Sequence, residues 1–186
     1  MPTILHEFTW PDRVVVGTVG PPGSRTFYLQ VRTRSQVVSV SLEKEQSAVL
    51  AEKIDEILDE LMVSDGNTHS VPATTPVELV DNDPLDQPVD EQFRTGVMSL
   101  GWDPSTAQVV IEAYPYAETD ENEFGADLDP EEIEPAEVLL VRMPVGTARA
   151  FAKRTREIVG AGRPLCPLCG EPIDPEGHIC ALPGDL

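Results

Sequence analysis

The chain has 186 residues, enough for one compact domain with a small appendage at roughly 100–200 residues per domain. It carries 33 Asp+Glu against 13 Lys+Arg, a formal net charge of -20, which excludes nucleic-acid binding through a broad basic surface and adhesion to an anionic membrane leaflet. At 40% apolar it can build a core, but no apolar run nears the ~20 residues that span a bilayer, and no basic-flanked apolar leader opens it, so it reads as a cytoplasmic protein.

Strands are expected at 14–19, 26–32 and 36–42, where β-branched and aromatic residues alternate with polar ones. Between the first two, Gly20-Pro21-Pro22-Gly23-Ser24 reads as a hairpin turn. A phosphate loop is rejected there, because the Lys-Ser/Thr ending and the following helix are both missing. A helix is expected over 44–61, with Leu50, Ile54, Ile57, Leu58 and Leu61 as one apolar stripe and Glu52, Lys53, Asp55, Glu56, Asp59 and Glu60 opposite. This first unit spans 1–62. Residues 63–90, rich in Pro, Thr, Ser and Asp, read as an exposed linker.

A second unit spans 91–160, with strands expected at 93–100, 107–113 and 137–143. Its helix, over 144–159, has Pro144 in the first turn and Ala148, Phe151, Ala152, Thr155, Ile158 and Val159 facing inward. An acidic insertion at 114–136 interrupts the unit; over 117–137 Glu118, Asp120, Glu121, Glu123, Asp127, Asp129, Glu131, Glu132, Glu134 and Glu137 stand with no basic residue among them, and disorder or high mobility is expected. At an offset of 101 the two strand-to-helix junctions align without a gap. Val40 matches Val141, Leu42 matches Met143, Leu50 matches Phe151, Ala51 matches Ala152, Lys53 matches Arg154, Ile57 matches Ile158 and Leu58 matches Val159. The reading is a duplicated βββα unit whose two copies share a core, since one three-stranded sheet with one helix leaves apolar surface bare.

The tail, 161–186, holds all three cysteines in the pattern C-x2-C-x8-H-x-C: Cys166, Cys169, His178 and Cys180. The odd number argues against a disulfide framework. Cys166-Pro167-Leu168-Cys169-Gly170 suits a tight knuckle, with glycine free to take positive φ, and His178 and Cys180 leave the same face of an extended segment. Three thiolates and one imidazole form a closed tetrahedral set for a structural zinc ion. A redox CxxC should open a helix, which Pro172 and Pro175 oppose.

Other residues carry less. Arg142, Arg149, Lys153, Arg154, Arg156 and Arg163 make the second helix region basic, read as a solvated face neutralised by nearby carboxylates, with an anion or partner site as the alternative. Asp81, Asp83, Asp86, Asp127 and Asp129 match no calcium-loop spacing. His6 and His69 are isolated, no nucleophile and base form a recognisable set, and Trp10 and Trp102 are expected to pack at the edges of the core.

Several long segments carry a resemblance: Arg13-Val14-Val15-Val16-Gly17-Thr18-Val19-Gly20, Val40-Ser41-Leu42-Glu43-Lys44-Glu45-Gln46, Gly96-Val97-Met98-Ser99-Leu100-Gly101-Trp102-Asp103, and the cysteine segment from Gly162 to Gly170 with Asp174 to Cys180. On these the chain resembles the actinobacterial domain of unknown function 3090 family over nearly its whole length. The resemblance implies a cytoplasmic actinobacterial protein, often encoded near a histidine-phosphatase-like and a kinase-like protein. It transfers no catalytic residue, only the four metal ligands. Members commonly end in a basic tail, where this chain ends Ala181-Leu182-Pro183-Gly184-Asp185-Leu186.

The expectation is therefore an α+β fold of two βββα units with a C-terminal zinc knuckle. Its expected function is a non-enzymatic zinc-binding adaptor or scaffold for a protein partner, with no nucleic acid and no membrane. The alternative is an enzyme acting on a phosphorylated or sugar-like metabolite, its anion held by Arg149, Lys153 or Arg154 in a pocket between the units.

Overall fold

The structure, a computed structural model, describes residues 2–117, 135–161, 166–170, 173, 177 and 179–180. Seven strands are seen: β1 (Ile4–Phe8), β2 (Arg13–Val19), β3 (Thr26–Thr33), β4 (Gln36–Leu42), β5 (Glu91–Asp103), β6 (Gln108–Pro115) and β7 (Glu137–Pro144). Two helices follow the two strand triplets, α1 (Lys44–Val63) after β4 and α2 (Val145–Gly160) after β7. Most of the acidic insertion, 118–134, lies outside the described residues.

The strands form one sheet in the order β1-β7-β6-β5-β4-β3-β2. Each triplet is an antiparallel meander. The meanders join where β4 runs parallel to β5, a pairing that α1 makes possible by crossing over between them. Within each meander the period-2 pattern sets the register. Val16, Leu29 and Val40 lie abreast, as do Leu100, Ile111 and Val141. Both helices add their apolar stripes to the same core, Leu50, Ile54 and Leu58 from α1 and Ala148, Phe151 and Ala152 from α2. The sheet curls around them, so that α2 touches β7 and also the far edge strand β2. There Arg154 Nε donates to the Val16 carbonyl at 3.0 Å.

β1 was not expected. It adds to the sheet beside β7, in parallel register Ile4↔Glu137 through Phe8↔Val141, and buries only Phe8. Trp10, expected in the core, is 61% exposed in the turn after β1. Trp102 does pack against the core, with His69 edge-on to its ring at 5.0 Å.

The expected linker is not simply exposed. Val71 and Leu85 are buried, and 81–87 lies across the outer face of β2 and β3. Leu85 sits on Gly17, where an added Cβ would come within 2.5 Å of the leucine side chain, so this close approach needs glycine. Gln30, 1% exposed, donates to Asp86 O at 3.1 Å and accepts from Asp86 N at 2.7 Å. Arg13 grips Asp81 through two bonds, and Arg32 grips Asp86. A Pro- and Asp-rich composition hides such a strap, because one leucine among aspartates shows no period.

Candidate metal centre

Beyond α2 the chain turns at 167–169. The Gly170 amide donates to the Cys166 carbonyl at 2.8 Å, and Gly170 has φ +75°. Closing a one-turn loop this tightly calls for a residue without a Cβ penalty at that position. The turn draws the two ends of the CxxC together, and Cys180 reaches the same place from the other side. The sulfurs of Cys166, Cys169 and Cys180 lie within 4.8 Å of one another, with Cys166 and Cys180 3.8 Å apart. That separation is nearly twice the ~2.05 Å of a disulfide bond, so the pair is not bridged. Cys166 is buried, and the other two are half-buried.

The Cys180 thiol is chemically unlike an isolated one. Cys180 is pushed up to about 11, first by its hydrogen bond with Cys169, then by burial and by Cys166. Crowded sulfurs resist ionising beside one another, and a cation among them reverses that preference. Three soft donors on one side of a small volume therefore suit a metal ion. His178, the fourth expected ligand, lies outside the described residues.

The basic helix is spent internally. Arg149 is 5% exposed and bonds Asp55 at 2.8 Å, Asp59 at 3.0 Å and the Pro72 carbonyl at 3.0 Å. Arg156 also reaches Asp55 at 2.8 Å, Lys153 pairs with Glu157, and Arg142 with Asp103. Arg154 bonds the carbonyl and carboxylate of Asp81. Among the described residues the neutralising groups come from α1, the strap, β5 and α2 itself, and Arg149 is buried and Arg154 half-buried rather than solvated. Arg163 lies outside the described residues. Arg149 and Lys153 line one cavity of about 380 Å³, whereas Arg154 lines another of about 80 Å³ with Arg13 and Asp81. The three side chains expected to hold an anion do not converge.

The remaining candidates are also occupied. His6 shares a hydrogen bond of 2.9 Å with Glu137 across β1 and β7. Asp81 and Asp86 belong to the strap's ion pairs, and Asp127 and Asp129 lie outside the described residues. The Gly20 to Ser24 segment is a turn between β2 and β3, closed by Ser24 N donating to Pro21 O at 3.0 Å. No helix among the described residues is long and apolar enough to cross a membrane.

Residues 6–180, nearly the whole chain, match the family described as Protein of unknown function (DUF3090). No curated protein and no solved structure matches the chain.

Proposed function

The chain belongs to the DUF3090 family, whose description assigns no activity, and from that premise we propose that its tail is a structural zinc knuckle on a non-enzymatic adaptor or scaffold. The observation that carries the reading is the sulfur cluster. Zn–S bonds of about 2.3 Å in a tetrahedron put sulfurs about 3.8 Å apart. Cys166 and Cys180 stand 3.8 Å apart. In this proposal His178, two residues before Cys180 in the sequence, supplies the imidazole that completes the set. Four protein ligands leave no position for water, which makes the ion a fastener rather than a catalyst.

The reading also includes a duplication. Val40 and Val141, Leu42 and Met143, Leu50 and Phe151, Ala51 and Ala152 are all buried, pair by pair, and each triplet of strands leads into its helix in the same order. The pair Lys53 and Arg154 has diverged, the first exposed and the second held against β2.

The partner in this reading is a protein, met in the cytoplasm, with no part for nucleic acid or membrane; the charge of -20 supports that choice. Quantitative capture from native lysate tests it, with the zinc-loaded chain and its Cys166→Ser variant as parallel baits. One protein recovered in stoichiometric amount by the first and lost with the second is the expected result. Recovery of none by either bait contradicts an adaptor role.

A further inference from the structure

The cations left without a carboxylate point to a second site. Arg13, Arg32, Lys53, Arg142, Arg149, Lys153, Arg154 and Arg156 all pair with Asp or Glu, and Arg94 pairs with Glu43. Among the described residues only Arg25, Arg34 and Lys44 do not. Two of those three, Arg25 and Lys44, line one cavity of about 500 Å³. In a chain of net charge -20, un-neutralised cations facing the same hollow invite an anion.

The cavity sits at the carboxyl end of β4, where the chain enters α1 and β5 runs alongside in parallel. Ligands of sheets with parallel crossovers gather in such crevices, and the start of a helix 20 residues long adds a positive dipole end, where Glu43 and Gln46 close a capping box. The helix start does not stand alone. Ser41 also lines the cavity, is only 6% exposed, and its hydroxyl has no hydrogen-bond partner among the described residues. A hydroxyl free of protein partners in a cavity wall is available to whatever enters.

Arg25 is already positioned. Its guanidinium stacks on Phe27 at 4.9 Å, and one nitrogen donates to the Ile158 carbonyl at 2.9 Å, which leaves further N–H groups for a ligand. Glu43, the lone carboxylate of the lining, is neutralised by Arg94 at 2.8 Å.

We propose that this cavity binds a phosphorylated small molecule, with Arg25, Lys44 and the Ser41 hydroxyl donating to the phosphate and Arg94 masking Glu43. The tetrahedral dianion accepts from donors on several sides at once, and the volume leaves room for an organic body against Phe27 and Leu42. The site shares no residue with the cysteine cluster and stands whether or not the tail holds zinc.

Titration of the full-length chain with inorganic phosphate, followed by amide NMR at constant ionic strength, tests the proposal. Saturable shifts confined to residue 25 and residues 41–45 are expected. Lys44→Gln should weaken binding by about tenfold, Arg25→Gln by a similar factor and Ser41→Ala by a smaller one, as for lost charge-assisted and neutral donors. Lys44 is exposed and makes no contact that the fold needs, so its variant keeps the test sound if Arg25→Gln perturbs packing. Shifts that never saturate, or that spread equally to Arg34 and Arg156, overturn the site. So does binding that Lys44→Gln leaves unchanged.

Discussion

The chain leaves α1 and α2 in different ways. After α1 it forms a strap across the first meander, fastened by ordinary protein chemistry: Leu85 on Gly17, Gln30 on the Asp86 backbone, and Arg13 on Asp81. After α2 the described part of the chain gathers three sulfurs instead. A strap of the first kind persists wherever the core persists. A tail of the second kind, in the reading proposed above, is ordered by an ion it must acquire. On that reading one fold uses burial to close one segment and coordination to close another, with separate sensitivities.

Those sensitivities can be pulled apart. The largest effect is expected from Leu85→Ala, which empties the contact over Gly17 and should cost about 3 kcal/mol in urea unfolding. Gly17→Val attacks the same contact from beneath and should cost about 2 kcal/mol by overpacking. Both should leave the metal content of the tail untouched. If either variant unfolds with wild-type stability, Leu85 is not the anchor.

A smaller effect is expected at Asp81. Arg13 holds its carboxyl below the usual value of 3.8, against the opposing pull of burial. A carboxyl lowered in the folded state stabilises above its unfolded value and loses that contribution as pH falls through the folded one. The strap should therefore weaken in acid below about pH 3.8. Asp81→Asn should cost about 1 kcal/mol at neutral pH and flatten this part of the acid dependence, measured as the urea midpoint against pH. An unchanged acid profile contradicts the assignment.

Sequence pattern reveals most of the frame and little of its closure. Six strands and both helices are legible, because valine-rich alternation and the Leu50 to Leu61 stripe report burial locally. β1 is not, since Ile4-Leu5-His6-Glu7-Phe8 buries a single residue and finds its partner strand more than 130 residues away. The basic character of α2 is legible, but its meaning is not. Only tertiary packing brings Asp55 and Asp59 of α1 to Arg149. The cluster of Cys166, Cys169 and Cys180 is legible because the three are close in sequence. The cavity of Arg25, Ser41 and Lys44 is not, because a turn, a strand end and a helix start meet there with no spacing to announce it.

The smallest effect on overall stability and the sharpest on the proposed site come together in the tail. Cys166→Ser should shift urea unfolding of the body by less than about 0.5 kcal/mol, because the sulfur cluster lies outside the main core. The most direct measurement is elemental analysis of the chain purified without chelator, wild type beside Cys166→Ser and His178→Ala. The account predicts one zinc per wild-type chain and loss of zinc from both variants. Wild-type chain free of zinc, or zinc retained when Cys166 is replaced, contradicts it.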